Sequence, residues 1–271
     1  MPEPSAVCRD GSRRVAVPVV ALILGVLGVA LGVGLGTDLP WEPTLVLLPL
    51  GALALWRWRG GRPLRELTVV GTTSGRALLL VAVTAAAYAL LGNVLVQAVG
   101  VASVDGVVVS PGGVLAALAV SVLVGGLLTA VPEELVFRGV ALQALLAASG
   151  PRVAIGVTSA LFALLHLPNA LLSWEVSGWL LGPRLGGLLV LGSALAWVTL
   201  RSGTIWVAVA WHAAANVADT AWAGLLTPES TEVVAWELWR SALATGEAAL
   251  LVCLVALRWP PRTSAVPSAA P

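Results

Sequence analysis

Residues 113–139 read GVLAALAVSVLVGGLLTAVPEELVFRG. No charged residue stands between Gly113 and Pro132, and then Glu133, Glu134 and Arg138 follow within six positions. About 20 apolar residues wound as a helix cross a hydrocarbon core of about 30 Å, so 113–132 reads as a membrane span. The motif at its end is unusual because the sequence after it, from Val140 onward, is again apolar. A charge inside a span costs about 2.5–3.5 kcal/mol on insertion scales, so each such group needs a partner or a purpose. Glu134 and Arg138 are four apart and share a helix face, where they can pair. Glu133 points about 100° away and is left for another task. The bland alternative makes the cluster the polar cytoplasmic end of the span.

Similar runs recur on both sides of this stretch. The chain has 271 residues, of which 58% are hydrophobic and 11% charged, and its mean hydropathy is +0.95. A soluble domain carries about a quarter charged residues, so this chain belongs in a bilayer. Breaks at Pro, Gly and charge divide it into about eight transmembrane helices: 15–36, 43–58, 77–101, 113–132, 152–172, 184–200, 204–224 and 238–258. The expected fold is therefore an all-α polytopic membrane protein. Abundant Gly and Ala suit close helix packing in lipid, and an open sheet is excluded there. The first run, Val15 to Gly36, follows Arg9, Arg13 and Arg14 like a signal peptide. It is too long for that, lacks a clear cleavage site, and reads as a retained helix. The organisation expected is a cytoplasmic tail 1–14, N-terminal helices 15–112, a core 113–224, a last loop and helix 225–259, and a disordered tail 260–271.

Arginine placement sets the expected orientation, because positive loops stay cytoplasmic. The chain has no lysine. Arg9, Arg13, Arg14, Arg57, Arg59, Arg62, Arg65, Arg76, Arg152, Arg201, Arg258 and Arg262 all fall at one set of alternate helix ends. The other ends receive Asp38, Glu42, Asp105, Glu175, Glu229, Glu232 and Glu237, with Arg184 and Arg240 against the trend. A multi-pass cell-membrane protein with both termini in the cytoplasm follows. The segment Gly60 to Arg76 reads as a solvated loop, or as one lying on the anionic inner leaflet. Cys8, expected to be cytoplasmic and reduced, and Cys253 form neither a disulfide framework nor a metal cluster. A net charge of +1 suggests no nucleic-acid partner. The partner expected from composition is the lipid bilayer.

Both histidines also lie in apolar sequence: LFALLHLPN around His166 and WHAAAN from Trp211 to Asn216. Phe162 stands one turn before His166 and can pack on it, and His212 and Asn216 share a face. Six costly polar groups on three helices imply a common site, since buried polar groups need partners. A glutamate and a neutral imidazole can hold a water and take its proton. His212 and Asn216 can donate to the oxyanion formed when that water attacks a carbonyl. No serine or cysteine falls in these motifs, so a covalent acyl-enzyme is disfavoured. Zinc held by Glu133, His166 and His212 is an alternative, although there is no His-Glu-x-x-His helix. Asp219, two turns after His212, either orients the imidazole or lines a polar crevice. Glu247 has no motif, and Arg240 is one candidate partner.

Glu133-Glu134-x-x-x-Arg138, Phe162-x-x-x-His166 and His212-x-x-x-Asn216, in that order on successive apolar segments, resemble the CPBP family. These are the CAAX protease and bacteriocin-processing proteins, also called the ABI family, and they include the type II CAAX prenyl endopeptidases. The resemblance spans roughly 113–224. It implies eight helices, a site opening toward the cytosol, water activation by Glu133 and His166, and an oxyanion site at His212 and Asn216. Glu134 and Arg138 are then a supporting pair. The family is described both as metalloproteases and as glutamate-dependent peptidases, which leaves zinc open. The Arg-only, Ala- and Val-rich usage resembles a high-GC bacterium, where farnesylated CAAX substrates are not expected. Two other readings compete with an intramembrane endopeptidase acting on a peptide or membrane-protein substrate: a non-catalytic scaffold or bacteriocin-immunity protein, and a proton-coupled transporter. A scaffold has no need of the whole polar set, and no internal repeat supports a transporter.

Overall fold

The computed structural model describes residues 6–36, 46–60, 67, 73–104, 106–107, 110–173, 178–226, 228–230 and 233–259, with no side-chain description for 6–13, 173, 228–230 and 233. Within them eight helices follow one another. They are α1 Ala6–Gly36, α2 Leu47–Trp58, α3 Gly75–Ala98, α4 Pro111–Ser149, α5 Pro151–Leu172, α6 Gly178–Ser202, α7 Trp206–Leu226 and α8 Val233–Arg258. Two three-residue strands, β1 Ala102–Val104 and β2 Pro228–Ser230, pair antiparallel and tie the end of α3 to the start of α8. The chain is an all-α polytopic membrane protein.

Six of the described helices are long and apolar enough to cross a bilayer: α1, α3, α4, α5, α6 and α8. The described part of α2 has 12 residues, about 18 Å, short of the 30 Å core. Helix α7 has 21 residues, about 31 Å, but carries His212, Asn216 and Asp219 along its length.

Two expected boundaries move. Helix α1 starts at Ala6, inside the stretch read as a polar tail. The fourth span does not end at Pro132: α4 is continuous for 39 residues, about 58 Å. A proline in a helix interior lacks its N–H and crowds the carbonyl four residues back. Here the turns on either side widen into π-helix, Ser121–Ala130 and Leu135–Ala141, which changes that spacing. The Glu-Glu-Arg motif is thus mid-helix and not at a polar end. Helix α4 stops at Gly150, whose φ of +85° only glycine adopts freely. Pro151 then opens α5 at the position where a missing N–H costs least.

Close approaches fix the sense of packing. A Cβ on Gly125 of α4 would stand 2.9 Å from the Asn216 carbonyl oxygen of α7, and one on Gly224 3.4 Å from Ala117, so α4 and α7 run antiparallel. Tyr88 Oη of α3 donates to the Leu243 carbonyl of α8. Arg184 of α6 meets Glu237 of α8, and Gly187 meets Ser241, so α6 and α8 run parallel. Two apolar clusters result. One joins α1, α2, the second half of α4 and α5 around Trp56, Phe137 and Phe162. The other joins α3, α6, α7 and α8 around Trp211, Leu195 and Leu251. Residues 38, 42, 62, 65, 105, 175, 232, 262 and the tail 260–271 named above lie outside the described residues, as does most of the 60–76 connection.

Candidate active site

Between the two clusters lies a cavity of about 410 Å³, walled by α3 to α8. Its lining separates the two adjacent glutamates. Glu133 lines it together with His166, His212 and Asn216, while Glu134 and Arg138 do not. The six residues singled out by the sequence nonetheless form one cluster around it, four on the wall and Glu134 and Arg138 behind it, joined to the wall through His212.

Glu134 and Arg138 are 0% and 1% exposed. The Arg138 Nη1–H donates to Glu134 Oε1 at 2.9 Å, and Nη2–H donates to the Gly192 carbonyl of α6 at 3.1 Å. The guanidinium lies 4.5 Å from the Phe162 ring centroid, within cation–π range. Glu134 Oε1 also stands 2.9 Å from His212 Nδ1. A carboxylate only accepts, so Nδ1 carries the proton and Nε2 is the atom left for chemistry. One carboxylate oxygen therefore holds both the arginine and the histidine. Nε2 of His212 is 3.9 Å from Glu133 Oε2, and that oxygen is buried with no hydrogen-bond partner.

His166 follows Leu165 where the regular turns of α5 loosen. Its Nδ1 is 2.9 Å from the Phe162 carbonyl oxygen. A carbonyl also only accepts, so Nδ1 is again the donor and a neutral ring presents Nε2 as base or ligand. Phe162 packs against both imidazoles, with centroids 4.9 Å from His166 and 5.9 Å from His212, and against Phe137 at 5.4 Å. Asn216 Nδ2–H reaches the Gly125 carbonyl at 3.4 Å, a long bond that leaves donor capacity for another acceptor.

Two other sequence candidates find partners. Asp219 Oδ1 accepts from Asn93 Nδ2 at 2.7 Å and lines the cavity. The carboxylate that orients His212 is Glu134. Glu247, for which Arg240 was one candidate partner, accepts the Trp211 indole N–H at 2.8 Å. Asn93, Trp211, Gly125 and Gly192 carry contacts that no motif spacing points to. Arg184, visible in the sequence as an exception to the arginine sorting, is buried in the cavity wall 3.9 Å from Glu237.

For zinc, the expected donors were Glu133, His166 and His212. Among the described residues no three His, Cys, Asp or Glu side chains are grouped closely enough to hold a metal ion. As placed they do not fit it, and no step below passes through a metal.

The family model Type II CAAX prenyl endopeptidase Rce1-like matches residues 114–218. That stretch holds all six residues of the cluster and four of the six helices that wall the cavity. No curated protein and no solved structure matches the chain.

Proposed function

We propose that the chain, whose residues 114–218 match the Rce1-like family model, is an intramembrane endopeptidase that activates water with Glu133 and His166. The observation that carries this reading is the division of labour between adjacent glutamates. Glu134 is held by Arg138 and holds His212 behind the wall, while Glu133 lines the cavity itself, 3.9 Å from His212 Nε2.

Water held between Glu133 and His166 Nε2 gives up a proton to this pair as its oxygen attacks the scissile carbonyl carbon. The negative charge moves to the carbonyl oxygen, where Asn216 Nδ2–H and a protonated His212 Nε2–H donate to it. Collapse of the tetrahedral intermediate breaks the C–N bond, and the proton taken from water passes to the leaving amine. Glu134 holds His212 in place throughout, and Arg138 balances the charge of Glu134. Residues 113–224 are the proposed catalytic core. The protein is placed in the cell membrane with both termini cytoplasmic, acting on a peptide or a membrane-associated protein.

The test is cleavage of a quenched-fluorescent peptide library by the purified protein beside Glu133→Ala and His166→Ala, each with and without a chelator. Cleavage by the wild type that is lost in both variants supports the mechanism. Loss of wild-type activity to the chelator would replace the proton-transfer role of Glu133 by metal ligation. Equal inertness of three folded proteins would point to the scaffold reading.

A further inference from the structure

Among the described residues the cavity has a closed end and an open end. On α7 its lining runs from Trp211 to Ala223, and on α8 from Glu247 back to Trp236. Each stretch is 11 or 12 residue steps, about 17 Å of helix. Neither helix lines the cavity beyond the level of Trp211 and Glu247. Beyond that level Val198, Val207, Ala208, Leu251 and Val255 are all at 0% exposure and fill the bundle. In the other direction Asp219 and Ala223 are exposed. Among the described residues the opening therefore lies where α3 and α7 end and α4 and α8 begin.

The arginines sorted by the sequence lie at the opposite end. Arg76 opens α3, Arg152 opens α5, Arg201 closes α6 and Arg258 closes α8. The packing senses put these four ends together. Arg57 and Arg59 join them, because Gly60 packs against Val15 near the start of α1, while Gly34 near its end packs against Leu172 beyond His166.

Two described arginines, Arg184 and Arg240, line the cavity on its open side. Neither adds positive charge to a loop. Arg184 is buried beside Glu237, Arg240 lies 5.6 Å from the Trp236 ring centroid, and Asp219 lines the same wall. The sequence of the connections at this end contributes only acids: Asp38, Glu42, Asp105, Glu175, Glu229 and Glu232. Arginine-bearing ends stay cytoplasmic, so the closed end faces the cytoplasm.

We propose that this cavity opens to the extracytoplasmic side, and that the substrate class is a peptide segment exposed at the outer face of the membrane or within its outer leaflet. This reverses the cytosolic opening implied by the family resemblance. The substrate clause rests on the peptidase reading, while the sidedness does not.

The experiment uses the full chain in the inner membrane of a bacterial host, with Cys8→Ser and Cys253→Ser as background. Single cysteines replace Val99 and Trp58, which are 61% and 83% exposed at the open and closed ends, and Ala223 in the cavity mouth. A membrane-impermeant maleimide is expected to label V99C and A223C in intact cells, and W58C only after permeabilisation. Labelling of W58C in intact cells with V99C protected would overturn the proposal, as would labelling of A223C only from inside. Sealed vesicles of both orientations then receive an impermeant fluorogenic peptide. Cleavage is expected in right-side-out vesicles and lost in inside-out ones, with detergent equalising the two. The reverse preference overturns the substrate clause. No cleavage in detergent overturns the peptidase reading and leaves the labelling result standing.

Discussion

The two halves of α4 live in different solvents. From Pro111 to Val120 no residue is buried, and Leu115, Leu118, Val122, Leu123, Leu127 and Leu128 are exposed. From Val136 to Leu142 every residue is buried. In water the first half would be an aggregation hazard. In a bilayer it is the ordinary lipid-facing surface, and the costly groups are kept where the helix turns inward. Position along the helix sets burial, and rotation about it sets role. Val124, Gly125, Thr129 and Glu133 face the cavity, while Glu134 and Arg138 face packed protein.

The sharpest way to break this comparison is to remove the charged members of the two faces in turn. Glu133→Ala is expected to lower cleavage by about 10²- to 10⁴-fold, the usual contribution of a general base. Thermal unfolding in detergent should change little, since Glu133 Oε2 has no hydrogen bond to lose and approaches His212 Nε2 only at 3.9 Å. A large drop in melting temperature would mean that Glu133 is structural. Arg138→Ala should do the opposite first. It leaves Glu134 buried at 0% exposure without its cation, and breaking a buried pair costs about 3–5 kcal/mol. Chemical denaturation reads this loss directly. The double variant Glu134→Gln, Arg138→Met should recover part of the stability while staying inactive, because His212 has then lost its charged acceptor.

Asn216→Ala comes next, with a loss of about 10²- to 10³-fold in kcat and little change in KM if its amide serves the oxyanion. A rise in KM at constant kcat would place Asn216 in ground-state binding instead. Gly125→Ala tests how closely α4 and α7 must approach. A Cβ there meets the Asn216 carbonyl oxygen at 2.9 Å and Thr220 Oγ1 at 3.0 Å. The backbone must shift, at a cost of about 1–3 kcal/mol for overpacking. Because the shift moves Asn216 as well, activity should fall with stability.

Much of this was legible in the sequence, and the part that was not has one cause. Helices, their lipid-facing lengths and the Glu134–Arg138 pair follow from composition and from spacing within one element. The i, i+4 rule also puts His212 and Asn216 on one face. What spacing cannot give is a contact between elements. Glu134 meets His212 across 78 positions, Asn93 meets Asp219 across 126, and Trp211 meets Glu247 across 36. Each depends on which helices pack and in what sense. The continuation of α4 past Pro132 was hidden differently, since proline normally argues for a boundary and only the flanking π-helical turns remove that argument.

The smallest effect belongs to the lipid face, and it is the control for everything above. Leu115 is 68% exposed on a stretch of α4 where nothing is buried. Replacing it by alanine exchanges one lipid-contacting aliphatic group for another and opens no cavity, so stability should move within about 0.5 kcal/mol, as at other positions without a structural partner. Leu142, 27 residues later on the same helix and 1% exposed, should lose about 2–5 kcal/mol on the same change. Hydropathy treats the two leucines as equal, yet only one has protein on all sides. Unfolding of the two variants in matched detergent would measure that difference. Equal losses would mean that the first half of α4 is covered by protein, a second copy or another chain, and that its exposed leucines do not face lipid.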